Sequence, residues 1–197
     1  RERSRGSRRA LYLLAGFLLF SLGGSVVVAQ VERTMMKAYA MPSSSMEPTI
    51  HCARPAAGCE RDTKDRFFVL RLHPFWAPRR GDIVAFKTTE AVVRECFAGG
   101  TYVKRIVGLP GETLQLRLVR GREFVYIGGR RLEEPYVEHR GSVGGPGTWT
   151  VPEDEYFVLG DNRAQSCDSR HFGAVPRSNF VGPVVAFYWP PDRIGLR

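Results

Sequence analysis

Twenty consecutive residues without a charge, Ala10 to Ala29 (ALYLLAGFLLFSLGGSVVVA), set the first constraint on this chain. At 1.5 Å rise per residue, such a run wound as a helix spans about 30 Å, the thickness of a bilayer's hydrocarbon core. The Gly and Ser within it are tolerated in membrane helices. Residues 1–9 (RERSRGSRR) place five Arg and one Glu ahead of it, and an excess of Lys and Arg marks the cytoplasmic side. The sequence therefore predicts a cytoplasmic basic flank over 1–9, a single transmembrane helix over 10–30 and an extracytoplasmic domain over 31–197. A cleaved leader would need an apolar region of 7 to 15 residues with a small-x-small site just beyond it. Ala38-Tyr39-Ala40 has that pattern, but Glu32, Arg33 and Lys37 separate it from the apolar run. The expectation is a retained single-pass anchor in the plasma or inner membrane.

Beyond residue 40 the chain reads as all-β. Short runs rich in Val, Ile, Phe and Tyr recur at Phe67–Leu72, Ile83–Phe86, Tyr102–Val107, Thr113–Leu118, Glu123–Ile127, Tyr156–Leu159 and Val181–Trp189. Gly, Pro and Asp punctuate them, and no segment keeps a helical period over twelve residues. Gly128-Gly129 predicts a two-residue hairpin turn, because both positions can take positive φ. Residues 139–149 (HRGSVGGPGTW) read as an exposed loop. The formal charge of +9 is concentrated at the start, where residues 1–9 supply +4, and the remaining Arg form no continuous stripe. That distribution argues against nucleic acid as a partner. Cys52, Cys59, Cys96 and Cys167 suit an oxidising compartment. A local bridge across Cys52 and Cys59 is the favoured pairing, with the other two left open.

Common catalytic signatures are absent: no GxSxG, HExxH, Walker A, GxGxxG or zinc-type Cys/His spacing, so neither a metal nor a cofactor is expected. Three other segments stand out. Met41-Pro42-Ser43-Ser44-Ser45-Met46-Glu47-Pro48-Thr49 holds serines between two prolines that restrict the backbone, although a Ser-rich turn alone is only a turn. Tyr102-Val103-Lys104-Arg105-Ile106-Val107-Gly108-Leu109-Pro110-Gly111 alternates as a strand. Its Lys is one of only four against 25 Arg, and Lys can shed its proton when desolvated whereas Arg cannot. Gly160-Asp161-Asn162-Arg163-Ala164-Gln165-Ser166-Cys167-Asp168-Ser169-Arg170 is a polar loop that must be solvated or satisfy itself.

SxMxPT after an apolar run, RGDIVAF (Arg80–Phe86), YVKRIVGLPG and GDNRxxSxDSRxxG, in this order, resemble bacterial-type signal peptidase I. Mitochondrial inner-membrane and thylakoid relatives share the pattern. The resemblance implies a signal-peptidase-like β-fold and a membrane-bound serine endopeptidase. Its substrates would be the signal peptides of exported preproteins, cut after small-x-small sites. Carried over residue by residue, Ser45 takes the nucleophile's place and Lys104 that of the general base. Ser43 falls where the family offers a hydroxyl to the oxyanion hole, and Ser166 where it orients the Lys amine. Arg105 with Asp161, and Asp168 with Arg170, match supporting ion pairs. Met41, Met46, Tyr102 and Val103 are expected to wall the substrate pocket, and Phe75-Trp76 and Tyr188-Trp189 to reach membrane lipid. Ala164 and Gln165 depart from the acid and amide that commonly follow GDNR. The short segment between Tyr136 and Thr150 implies that the large second β domain of some members is absent. A bridge from Cys167 to Cys96 would staple the loop.

Three rival readings remain. One is a specialised processing protease of a secretion, conjugation or pilus system. Another is a non-catalytic, membrane-tethered β binding module, which the intact Ser45, Lys104 and Ser166 disfavour. The third is a DNA-associated Ser/Lys autoprotease, which the apolar run disfavours.

Overall fold

All seven β-rich runs form strands in the computed structural model, which describes residues 35–71, 75–138, 141 and 144–196. The strands are β1 (Met36–Ala40), β2 (Arg66–Leu70), β3 (Ile83–Lys87), β4 (Thr101–Gly108), β5 (Thr113–Val119) and β6 (Arg122–Ile127). They continue as β7 (Arg130–Arg131), β8 (Gly147–Thr150), β9 (Glu155–Leu159), β10 (Val175–Pro176), β11 (Phe180–Trp189) and β12 (Gly195–Leu196). The anchor predicted over 10–30 lies outside the described residues. Among the described residues no helix is long and apolar enough to cross a membrane.

The larger sheet runs β1-β2-β11-β3-β4-β9-β10, with β12 added to β11. Its organising strand is β11, whose first half pairs with β3 through Phe180–Pro183 and whose second half pairs with β2 through Val184–Trp189. Gly182 makes that switch possible. Its φ is +153°, and a Cβ there would stand 1.8 Å from the Leu70 carbonyl oxygen, so no larger residue fits without moving backbone. A register shift between Val184 and Ala186 resets the alternation, and both Val184 and Phe187 come to face the core.

The smaller sheet runs β7-β6-β5-β8. Its register sets Leu114 against Ile127 and Leu116 against Val125, turning one face onto Val107, Phe157 and Leu159 of the larger sheet. Each such buried aliphatic side chain is worth about 1.5–3 kcal/mol. The β6–β7 turn is the expected one, with φ of 55° at Gly128 and 80° at Gly129.

Three features differ from expectation. A helix, α1 (Glu90–Cys96), follows β3; it is capped by the Thr89 side chain, which accepts from Val92 N, and it buries only Val92. Seven residues are too few to show a period. Gly147–Trp149, expected to be loop, belongs to β8 and pairs with β5, where Trp149 packs on Phe157 at 5.4 Å. Both disulfides form, Cys52–Cys59 and Cys96–Cys167, so the single favoured bridge is corrected to two.

Candidate active site

Pro42 and Pro48 bracket a single 3-10 turn, Ser44–Met46, entered from an extended Ser43 (φ −134°, ψ 159°). Met46 and Ile50 are fully buried in the core cluster beneath the turn. Glu47, also fully buried, ties the turn to the chain that follows. Its carboxylate accepts from Cys52 N at 3.0 Å and Glu60 N at 3.3 Å, and contacts His51 Nδ1. Held on both sides, Ser45 turns its hydroxyl toward β4.

There Lys104, in mid-strand opposite Val84, brings its Nζ to 2.8 Å from Ser45 Oγ and 3.2 Å from the Val103 carbonyl. Ser43 Oγ approaches Ser45 Oγ at 3.3 Å. Burial lowers the Lys104 pKa from its ordinary 10.5 to about 8, against the pull of the Asp168 and Asp161 carboxylates and with some help from the Arg170 guanidinium. A desolvated amine avoids its charged form.

Arg105, the next residue on β4, points the other way. Its guanidinium makes a bidentate pair with Asp161 at 2.8 and 2.6 Å, donates to the Gly81 carbonyl at 2.8 Å and lies over the Tyr136 ring. Asp168 is gripped similarly by Arg170, at 2.8 Å through Nε and 2.8 Å through Nη2, and accepts from Gly160 N at 3.0 Å. Burial alone would raise the Asp168 carboxyl; the Arg170 guanidinium overrides it and holds the group below its ordinary value. The loop between them reaches the nucleophile turn through Asn162 N, which donates to the Ser45 carbonyl at 3.2 Å. Ser166 is buried within this loop, but its Oγ bonds neither to Lys104 nor, in proper geometry, to the nearby Asp168 carboxylate.

A pocket of about 470 Å³ opens beside Ser45 and Lys104, between the chain at Tyr39–Ser43 and that at Thr101–Lys104. Met41, Tyr102 and Val103 line it. Met46 does not; the turn directs it into the core at 0% exposure. Ala98, Gly99, Gln165 and Cys167 also line it, so the Cys96–Cys167 bridge joins the end of α1 to the polar loop at the pocket.

The family model for signal peptidase, peptidase S26, matches residues 14–189. The chain belongs to this family. A signal peptidase I of Leptolyngbya laminosa is 39% identical over 178 residues, covering 89% of this chain and 80% of that one. Signal peptidase I V of Bacillus subtilis (strain 168) is 31% identical over 191 residues, covering 90% and 97%. A crystal structure of a signal peptidase I from Enterococcus faecalis V583 matches with a TM-score of 0.42 at 35% identity, covering 55% of this chain and 97% of that one. The protein is accordingly a serine endopeptidase that cleaves signal peptides.

In this signal peptidase the polar loop is held by residues that the sequence alone did not single out. Arg163 is fully buried; it donates to the Gly160 carbonyl at 3.1 Å and pairs with Glu134 and with Glu123, which also takes Arg170 Nη1 at 3.0 Å. Gly160 is the point of closest approach to the nucleophile. A Cβ there would lie 2.2 Å from Ser166 Oγ and 2.4 Å from the Ser45 carbonyl oxygen. Gly160→Ala is therefore expected to push the two loops apart and lower kcat by about 100-fold, in line with the sensitivity of such sites to misplacement of about 1 Å. Steady-state cleavage of a preprotein, alongside circular dichroism to confirm folding, checks this; a folded variant with parental kcat would show that the contact is not needed.

Proposed function

We propose that Ser45 is the nucleophile and Lys104 the general base of a membrane-anchored signal peptidase I that cuts exported preproteins after small-x-small sites. One observation carries the reading: a buried amine with a lowered pKa stands 2.8 Å from a serine hydroxyl on the wall of a peptide-sized pocket. With a pKa of about 8, roughly a quarter of Lys104 is neutral at pH 7.5. The neutral amine takes the Ser45 proton as Oγ attacks the scissile carbonyl, then returns it to the leaving amine. Ser43 Oγ and the Ser45 N–H face the developing oxyanion, a contribution of about 3–4 kcal/mol in comparable sites. Water, deprotonated by the same Lys104, releases the acyl group from Ser45. The Arg105–Asp161 and Asp168–Arg170 pairs keep β4 and the loop in place.

The signal peptide would lie as an added strand between Tyr39–Ser43 and Thr101–Lys104, with its small side chains toward Met41, Tyr102 and Val103. Residues 10–30 anchor the chain once, with 1–9 cytoplasmic and the catalytic domain outside, facing membrane lipid. The test is incubation of the full chain in detergent with a preprotein carrying an Ala-x-Ala site, reading product masses. A single cut after the second Ala, lost in Ser45→Ala, is expected, with kcat rising through about pH 8. Cleavage that survives in Ser45→Ala would end this assignment.

A further inference from the structure

Although Asn162 Oδ1 and Ser166 Oγ lack hydrogen-bond partners among the described residues, the polar side chains Asn162, Arg163, Ser166, Asp168 and Arg170 of the loop from Gly160 to Arg170 are all buried. Gln165 is the exception. It is exposed and lines the pocket. Its carboxamide is nevertheless fixed at one end, because Oε1 accepts from the buried Ser44 Oγ at 2.9 Å. Gly58, in the loop closed by the Cys52–Cys59 bridge, backs the same atom. A Cβ on Gly58 would stand 1.8 Å from Oε1 and 2.8 Å from Ser44 Oγ, so the amide occupies space that only glycine leaves. With the oxygen committed, the two N–H donors on Nε2 have no acceptor among the described residues.

We propose that Gln165 is a substrate-binding residue of this signal peptidase, donating from Nε2 to a main-chain carbonyl of the signal peptide held in the pocket. The inference rests on the Ser45 reading, since it is that site which puts the scissile segment beside Gln165. The neighbouring walls, Tyr39, Met41, Phe67 and Val103, offer mainly apolar surface. Any main-chain carbonyl of an extended peptide that the flanking chain does not engage needs a donor, which a fixed amide in the pocket wall can supply. Recognition of a carbonyl is indifferent to side chains, which suits an enzyme whose substrates differ in sequence. The anchoring partners, Ser44 and Gly58, come from two stretches separate from Gln165, so each can be altered independently.

The experiment measures kcat and KM on two preproteins of unlike sequence at about pH 9.5, where Lys104 is largely neutral. Gln165→Met removes donor and acceptor. Gln165→Glu keeps the acceptor for Ser44 and replaces the donor. Both are expected to raise KM about tenfold on both substrates, with kcat within about twofold of the parent, as for loss of one neutral hydrogen bond. Gly58→Ala, which crowds the amide out of place, should raise KM in the same direction. Parental KM in Gln165→Glu, a loss confined to kcat, or a loss on one substrate only would each overturn the proposal. The first would mean that Gln165 merely holds Ser44. Ser45→Ala run in parallel separates the two readings: its activity decides the nucleophile whatever Gln165 does.

Discussion

Lys104→Met is expected to abolish cleavage while making the protein more resistant to urea at neutral pH. The loss of activity, about 10³-fold or more in kcat, follows from removing the amine that, among the described residues, contacts Ser45 Oγ and can take its proton. The gain in stability follows from the same pKa. Burial lowers Lys104 from 10.5 to about 8, so between those values the unfolded chain holds a proton that the native chain has released. Stability therefore rises with pH across that window, and below about pH 8 the native state bears the whole cost, about 3 kcal/mol. Methionine fills a similar volume with no charge to desolvate. Its advantage over the parent should be largest at pH 7 and fade as pH rises from about 8 to 10.5.

Lys104→Arg separates charge from chemistry. A guanidinium does not deprotonate in a protein, so this variant should be as inactive as the Met variant and should show no gain in stability. Urea midpoints in mild detergent near pH 7 and pH 10.5, with kcat measured beside them, check both substitutions. A Met variant less stable than the parent at pH 7 would mean that the amine is not strained by burial. Turnover by the Arg variant would mean that Lys104 is not the base.

What could be read in the sequence was local. Strand alternation exposed the seven main β runs, and the scarcity of Lys beside abundant Arg drew attention to Lys104. The Asp168–Arg170 pair was expected through the family likeness. Met46 shows where adjacency misleads: it follows Ser45, but a 3-10 turn rotates each residue about 120° from the last, so the neighbour of a pocket residue faces the core. Ser166, expected from the family likeness to orient the Lys amine, makes no hydrogen bond to it. α1 was invisible because two turns have no period, and β8 because its Gly-rich approach reads as loop. Arg163 was hidden for a different reason. Its acidic partners lie 29 and 40 residues earlier, Glu134 in the chain after β7 and Glu123 on β6, and nothing local announces a contact at that range.

That long-range pairing yields the largest effect on stability. Arg163→Met is expected to destabilise the protein by about 3–5 kcal/mol, because it withdraws the cation from carboxylates that remain buried. Glu134 and Glu123 are 2% and 0% exposed, so water cannot replace the guanidinium without the smaller sheet parting from the loop. The loop would loosen too. Arg163 Nε holds the Gly160 carbonyl, and its own carbonyl accepts from Arg170 at 2.9 Å. Both contacts support the stretch that presents Asn162 N to Ser45, so kcat should fall along with the urea midpoint. Adding Glu134→Gln to Arg163→Met removes one of the two buried acids. If the penalty is an uncompensated charge and not lost packing, the double variant should recover about half of the lost stability, since removing both partners of a buried pair costs less than removing one. A double variant less stable than Arg163→Met alone would assign the cost to packing instead.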